Sequence, residues 1–148
     1  MLHGDLSNKT EPVILFTWEG LLAKVPPELE AREKRLVEKA KLTKWLGCWE
    51  ENEHMRSVLV DLTWRKNRSV YALTFYPLPF ATRLGDRLGD EGYPCAGVIC
   101  GYPRDGFHTQ LAMMPWVTVI YHGERLLPLL WGTRGQYVDP AYYSGADL

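Results

Sequence analysis

Apolar and polar positions follow two rhythms along the chain, and the order in which they occur predicts strands and helices in turn. Val13 to Phe16 is an uninterrupted apolar run of the length of a strand covered on both faces. A charged stretch follows, opened by Pro26-Pro27 and stopped at Gly47. Leu29, Leu36, Val37, Ala40 and Trp45 give it one apolar side, so it predicts a single amphipathic helix with Glu30 and Lys34 paired across a turn on the other side. Met55, Val58, Leu59 and Leu62 fall at i, i+3, i+4 and i+7, the clearest helical stripe in the chain, and Asn67 ends it. "SVYALTFYP" is an apolar strand closed by Pro77, and "FATRLGDRLGDEGYP" a helix with Leu84 and Leu88 inward and Gly92 as its stop. Gly85 and Gly89 cost that helix about 1 kcal/mol each relative to Ala, which close approach to a sheet would explain. "AGVIC" is a third strand, "YPRDGF" a loop and "HTQLAMM" at most two helical turns. "WVTVIYHG" is a fourth strand, "ERLLPLLWG" a helix shortened or kinked at Pro128, and "GQYVD" a last strand.

Strands alternating with helices predict an α/β fold, a mostly parallel sheet flanked by helices in three layers. Ligands of such sheets bind at the carboxyl ends of the strands, near the point where the strand order reverses. Residues 1–12 are expected to be a flexible terminus and 13–148 a single domain. Apolar residues make up 46% of the chain and charged residues 24%, which points to neither a disordered nor a fibrous protein. No apolar run is long enough to cross a bilayer and the first residues do not form a secretory signal, so the expected location is cytoplasmic, with no membrane partner. Cys48, Cys95 and Cys100 form neither a disulfide framework nor a zinc motif. A net charge of −1 supplies no general attraction to nucleic acid. Basic residues between Arg32 and Lys44 are read as a solvated helix face. Six Trp and eight Tyr are the compositional excess; they fill a core or, in part, form a partner-binding surface.

The stretch "VILFTWEGLLAK" resembles the first motif of the haloacid dehalogenase-like (HAD) superfamily, an apolar strand running into DxDxT. On that match Thr17 stands for the nucleophilic aspartate, Glu19 for the second acid, Gly20 for the usual glycine and Leu21 for the threonine. "LTFYP" is similar to the family's second motif, with Thr74 on the phosphate-binding hydroxyl position and Pro77 retained. "TVIYHGERLLPLLW" is similar to the fourth motif, with His122 and Gly123 in place of two acids and Glu124 just beyond. These pieces run from residue 13 to about residue 138. The resemblance implies a Rossmann-like, HAD-like three-layer fold in which residues 27–66 form a minimal cap or none.

Family phosphatases use the first aspartate as nucleophile, Mg²⁺ to neutralise the phosphate and the second aspartate for proton transfer. A threonine hydroxyl at position 17 is not ionised at neutral pH and lacks an evident base, and loss of a covalent nucleophile costs on the order of a millionfold in turnover. Mg²⁺ prefers carboxylate oxygens, which Thr17 and Gly123 cannot supply. Arg104 or His108 falls near the place of the family lysine. The resemblance therefore implies a protein without phosphatase activity, with no metal and no cofactor, working as a protein-binding or regulatory module through Trp18, Glu19, Thr74, Phe75, Tyr76, His108 and His122. Small degenerate proteins of this kind fit a phage or mobile-element setting. One alternative is a divergent phosphoesterase or metal-dependent hydrolase using Glu19 and His122, with Mg²⁺ in that case only, or with a transition metal on Glu19, His108 and His122. The other is a binder that holds a phosphorylated ligand at Thr74 without cleaving it.

Overall fold

The computed structural model describes residues 11–123 and 134–148. In chain order the elements are β1 (Val13–Thr17), β2 (Ala23–Lys24), α1 (Glu30–Glu38), α2 (Leu42–Leu46), β3 (Glu50–Glu51), α3 (Glu53–Val60), β4 (Ser69–Thr74), α4 (Leu78–Asp90), β5 (Val98–Cys100), α5 (Arg104–Ala112), β6 (Val117–His122) and β7 (Gly135–Tyr137). The predicted helix over 124–132, with Pro128 and Glu124, lies outside the described residues, as does most of the predicted loose terminus.

Five strands form one parallel sheet in the order β5-β4-β1-β6-β7. The opening strand is its centre, and the chain builds outward on one side of β1 before crossing to the other. This is the Rossmann-like order, and it places the switch point between β1 and β6. Every residue of β1 is buried, as a strand flanked by two neighbours and covered on both faces requires. Alternate residues go to opposite faces: Ile14 and Phe16 join a core built with α2, α3 and α4, while Val13 and Leu15 join a second core with Phe107 and Leu111 of α5. Helices thus cover both faces.

The stripe at Met55, Val58, Leu59 and Leu62 is buried as expected. Asn52 caps α3 by accepting from the Met55 amide at 3.1 Å, a π-type turn at Asp61–Arg65 extends it, and Asn67 leaves it with φ +56°. Three expectations need correction. The single helix over 27–47 is broken in two at Ala40, which adopts φ +51° and is exposed, because the apolar side of α1 does not continue in phase to Trp45. Part of the loop predicted at "YPRDGF" is the first turn of α5. Gly85 and Gly89 do not mark a close helix–sheet approach: a Cβ on Gly85 would sit 3.7 Å from Val98, an ordinary contact, and one on Gly89 would meet nothing within 4 Å. The sequence pattern also missed the two-stranded antiparallel sheet β2-β3, whose strands are two residues each. No helix among the described residues is long and apolar enough to cross a membrane.

Candidate functional site at the carboxyl edge of the sheet

The residues after β1 form a tight loop instead of running on as strand. The Leu22 amide donates to the Thr17 carbonyl at 3.2 Å, the Ala23 amide to the Trp18 carbonyl at 2.9 Å, and the Gly20 amide to the Ala23 carbonyl at 2.9 Å. Gly20 makes the bend with φ +86°, which L side chains rarely adopt. The loop after β6 comes so close that a Cβ on Gly123 would overlap the Gly20 carbonyl oxygen. Gly123 is therefore required by packing between the two strand ends, whatever an acid at that place would do.

Glu19 reaches from this loop across to the end of β4. Its Oε2 accepts from the Phe75 amide at 2.9 Å and from the Thr74 hydroxyl at 3.2 Å, and the Thr74 oxygen in turn accepts from the Tyr76 amide at 3.3 Å. Its Oε1 is buried and has no hydrogen-bond partner among the described residues. Burial pushes the Glu19 carboxyl above the usual range, against the bonds from Phe75 and Thr74 and the positive charge of Arg104. Arg104, at the start of α5, stacks its guanidinium 5.4 Å from the centre of the Phe75 ring. Its charge acts on the Glu19 carboxyl; His108, one turn further along α5, is exposed and lines neither cleft described below.

Thr17 and His122 lie on neighbouring strands, one residue beyond the pairing of Phe16 with Tyr121. Both are buried, at 0% and 1% exposure, and the structure forms no hydrogen bond between them. The His122 Nδ1 lies 2.8 Å from the Gly123 carbonyl, which only accepts, so Nδ1 carries a proton; Nε2 is buried with no hydrogen-bond partner among the described residues. Trp18 is 3% exposed and packs against Trp49 and Tyr93, so it is part of the core. Of the predicted residues, the structure brings Glu19, Thr74, Phe75 and Tyr76 into one hydrogen-bonded cluster, and buries Thr17 and His122 away from solvent. Burial raises the Cys100 thiol as well, which disfavours a thiolate at this edge. No group of three or more His, Cys, Asp or Glu among the described residues is arranged to hold a metal ion.

A cleft of about 360 Å³ opens beside this cluster, lined by Glu19, Lys24, Glu30, Glu33, Lys34, Trp49 and Tyr76 among others. Glu33, though on a charged helix, is only 8% exposed, and its Oε2 accepts from the Trp45 indole at 2.7 Å and from the Tyr76 hydroxyl at 3.0 Å. The sequence carried a signal for this: Glu33 sits four residues after Leu29 and three before Leu36, inside the apolar stripe. Glu30 and Lys34 both line the cleft, and the described residues do not show the ion pair expected of them. A second cleft of about 520 Å³, lined by Glu50, Glu51, Glu53, His54 and Asp139 among others, lies on the other side of Lys24. Compared with protein-family models, curated proteins and solved structures, the chain matches none.

Proposed function

We propose that this chain is a catalytically inactive protein of the haloacid dehalogenase-like type that works by binding a protein partner. The observation that carries the reading is the seat of the Glu19 carboxylate on the Thr74 hydroxyl and the Phe75 amide. A phosphoryl group entering such a cradle would need those two donors, and the chain's own anion holds them. Thr17, where an attacking carboxylate would stand, is a buried neutral hydroxyl with no base bonded to it among the described residues. The carboxyl edge keeps an open cleft with aromatic walls, which suits recognition without chemistry.

Assay of the purified chain with a generic phosphate ester across a panel of divalent metals tests this. The expected result is no turnover above the uncatalysed rate. Turnover that vanishes on Glu19→Gln with the fold intact would overturn the reading in favour of a phosphoesterase that uses Glu19 and His122. A non-hydrolytic binder of phosphorylated ligands has one observation on its side, the Arg104 charge close to the cradle. That reading predicts a rise in Tm with small phosphate compounds, lost on Thr74→Val.

A further inference from the structure

The 360 Å³ cleft has a chemistry of its own, distinct from the Thr74 cradle. Two carboxylates line it in the same way. Glu19 gives both of its bonds to donors on Oε2, and Glu33 does the same, so that each has its other oxygen outside those bonds. Tyr76 lines the same cleft, and its hydroxyl donates to Glu33 Oε2 at 3.0 Å. The Trp49 and Tyr76 rings meet edge to face at 87° with centroids 5.8 Å apart, making an aromatic corner in the wall of the same cleft. Ring faces attract cations, and most strongly where water is excluded. Glu30 adds a third carboxylate at the mouth, against two ammonium groups on the exposed Lys24 and Lys34.

Two features make a purely structural account insufficient. A glutamine at position 19 would satisfy the Thr74 and Phe75 donors without burying a charge, yet the chain has a carboxylate there, with its Oε1 buried and unbonded among the described residues. Glu33 likewise spends only one oxygen on the Trp45 and Tyr76 donors. From the paired carboxylates and the aromatic corner we infer that the cleft binds an organic cation, a guanidinium or ammonium group on an aliphatic stem. Its N–H groups bond the second oxygens of Glu19 and Glu33, which requires the Glu19 carboxyl to turn its buried Oε1 toward the cleft, and its stem lies against Trp49 and Tyr76. The inference deepens the proposed function, since a partner's arginine or lysine would carry this group, but the cleft takes the same chemistry from a small amine.

The test uses the full chain and three probes: butylguanidinium, its neutral isostere butylurea, and arginine capped at both ends. The readout is the ¹⁵N-detected shift of the Trp49 indole N–H and the Phe75 amide. Saturable shifts with both cations and none with butylurea are expected. Glu19→Gln and Glu33→Gln should each weaken binding about tenfold or more. Glu53→Gln, in the neighbouring acidic cleft, should leave it unchanged. Tighter binding of capped arginine than of butylguanidinium assigns the group to a protein, and the reverse order to a free small molecule. No saturable shift, an equal response to butylurea, or binding indifferent to both glutamine variants overturns the inference. Should Glu33→Gln not fold, the Glu19→Gln arm decides alone. Phosphate-ester turnover would sink the inactive reading without touching this result, and a failed cation titration would leave the inactive reading standing.

Discussion

Glu19 is half-buried but its carboxyl is turned inward, and burial there holds its proton more tightly in the folded chain than in the unfolded one. The unfolded chain therefore loses that proton first as pH rises, and the contribution of Glu19 to stability falls from the acid side up through the raised folded value. Glu19→Gln keeps an acceptor for Thr74 and Phe75 and removes the ionisation. We expect it to melt above the parent at neutral pH and to converge with it below the ordinary carboxyl range, in thermal unfolding followed at a series of pH values. A gap that persists undiminished in acid would contradict the burial of charge as its cause. Gly123 gives a second residue-level prediction. Gly123→Ala drives a methyl group into the Gly20 carbonyl and should lower stability by about 1–3 kcal/mol in denaturant titration, although glycine's place there looks, from the chain alone, like a lost acid.

At the level of elements, helix α4 carries two glycines that the packing does not need. Gly89→Ala and Gly85→Ala should each stabilise the protein by up to about 1 kcal/mol in denaturant titration, the new methyl at 85 making an ordinary contact with Val98. Asn52→Ala removes the cap of α3 and should cost about 1 kcal/mol. The strands and α3 were legible because each has an unbroken pattern: a continuous apolar run for β1, a strict helical stripe for α3. The break between α1 and α2 was overlooked because Ala40 is an excellent helix former; the one local sign of it was Trp45 falling out of phase with the apolar side, and the packing of Trp45 against Tyr76 and Phe80 overrides propensity there. Strands β2 and β3 are too short to carry any alternation. In the candidate site, Glu19 and Thr74 could be named from the chain, but their bond could not. Glu33 was hidden by reading its helix as a charged face with one apolar side, when a carboxylate stood within that side.

On the scale of the whole molecule, residues 139–148 run back over the domain and tie distant parts together. The Asn52 side chain donates to the Pro140 carbonyl, the Lys66 ammonium to that of Gly145, and Arg68 twice to that of Leu148. Asp147 accepts from the hydroxyls of Tyr121, at the sheet, and Tyr143; the Tyr121 ring stacks on Phe16 and the Tyr143 ring meets Phe16 at a tilt of 53°. Asp147→Ala leaves the buried Tyr121 hydroxyl short of an acceptor and should cost about 1–3 kcal/mol by urea unfolding. The central place of β1 has a further result for the life of the protein. On the ribosome that strand is made before the rest of its sheet, yet its neighbour on one side, β6, is made only after β4, β5 and the helices between them. A nascent chain must therefore carry a largely apolar strand with an open edge until β6 is made, an invitation to aggregate that a chaperone or rapid collapse onto α3 has to meet.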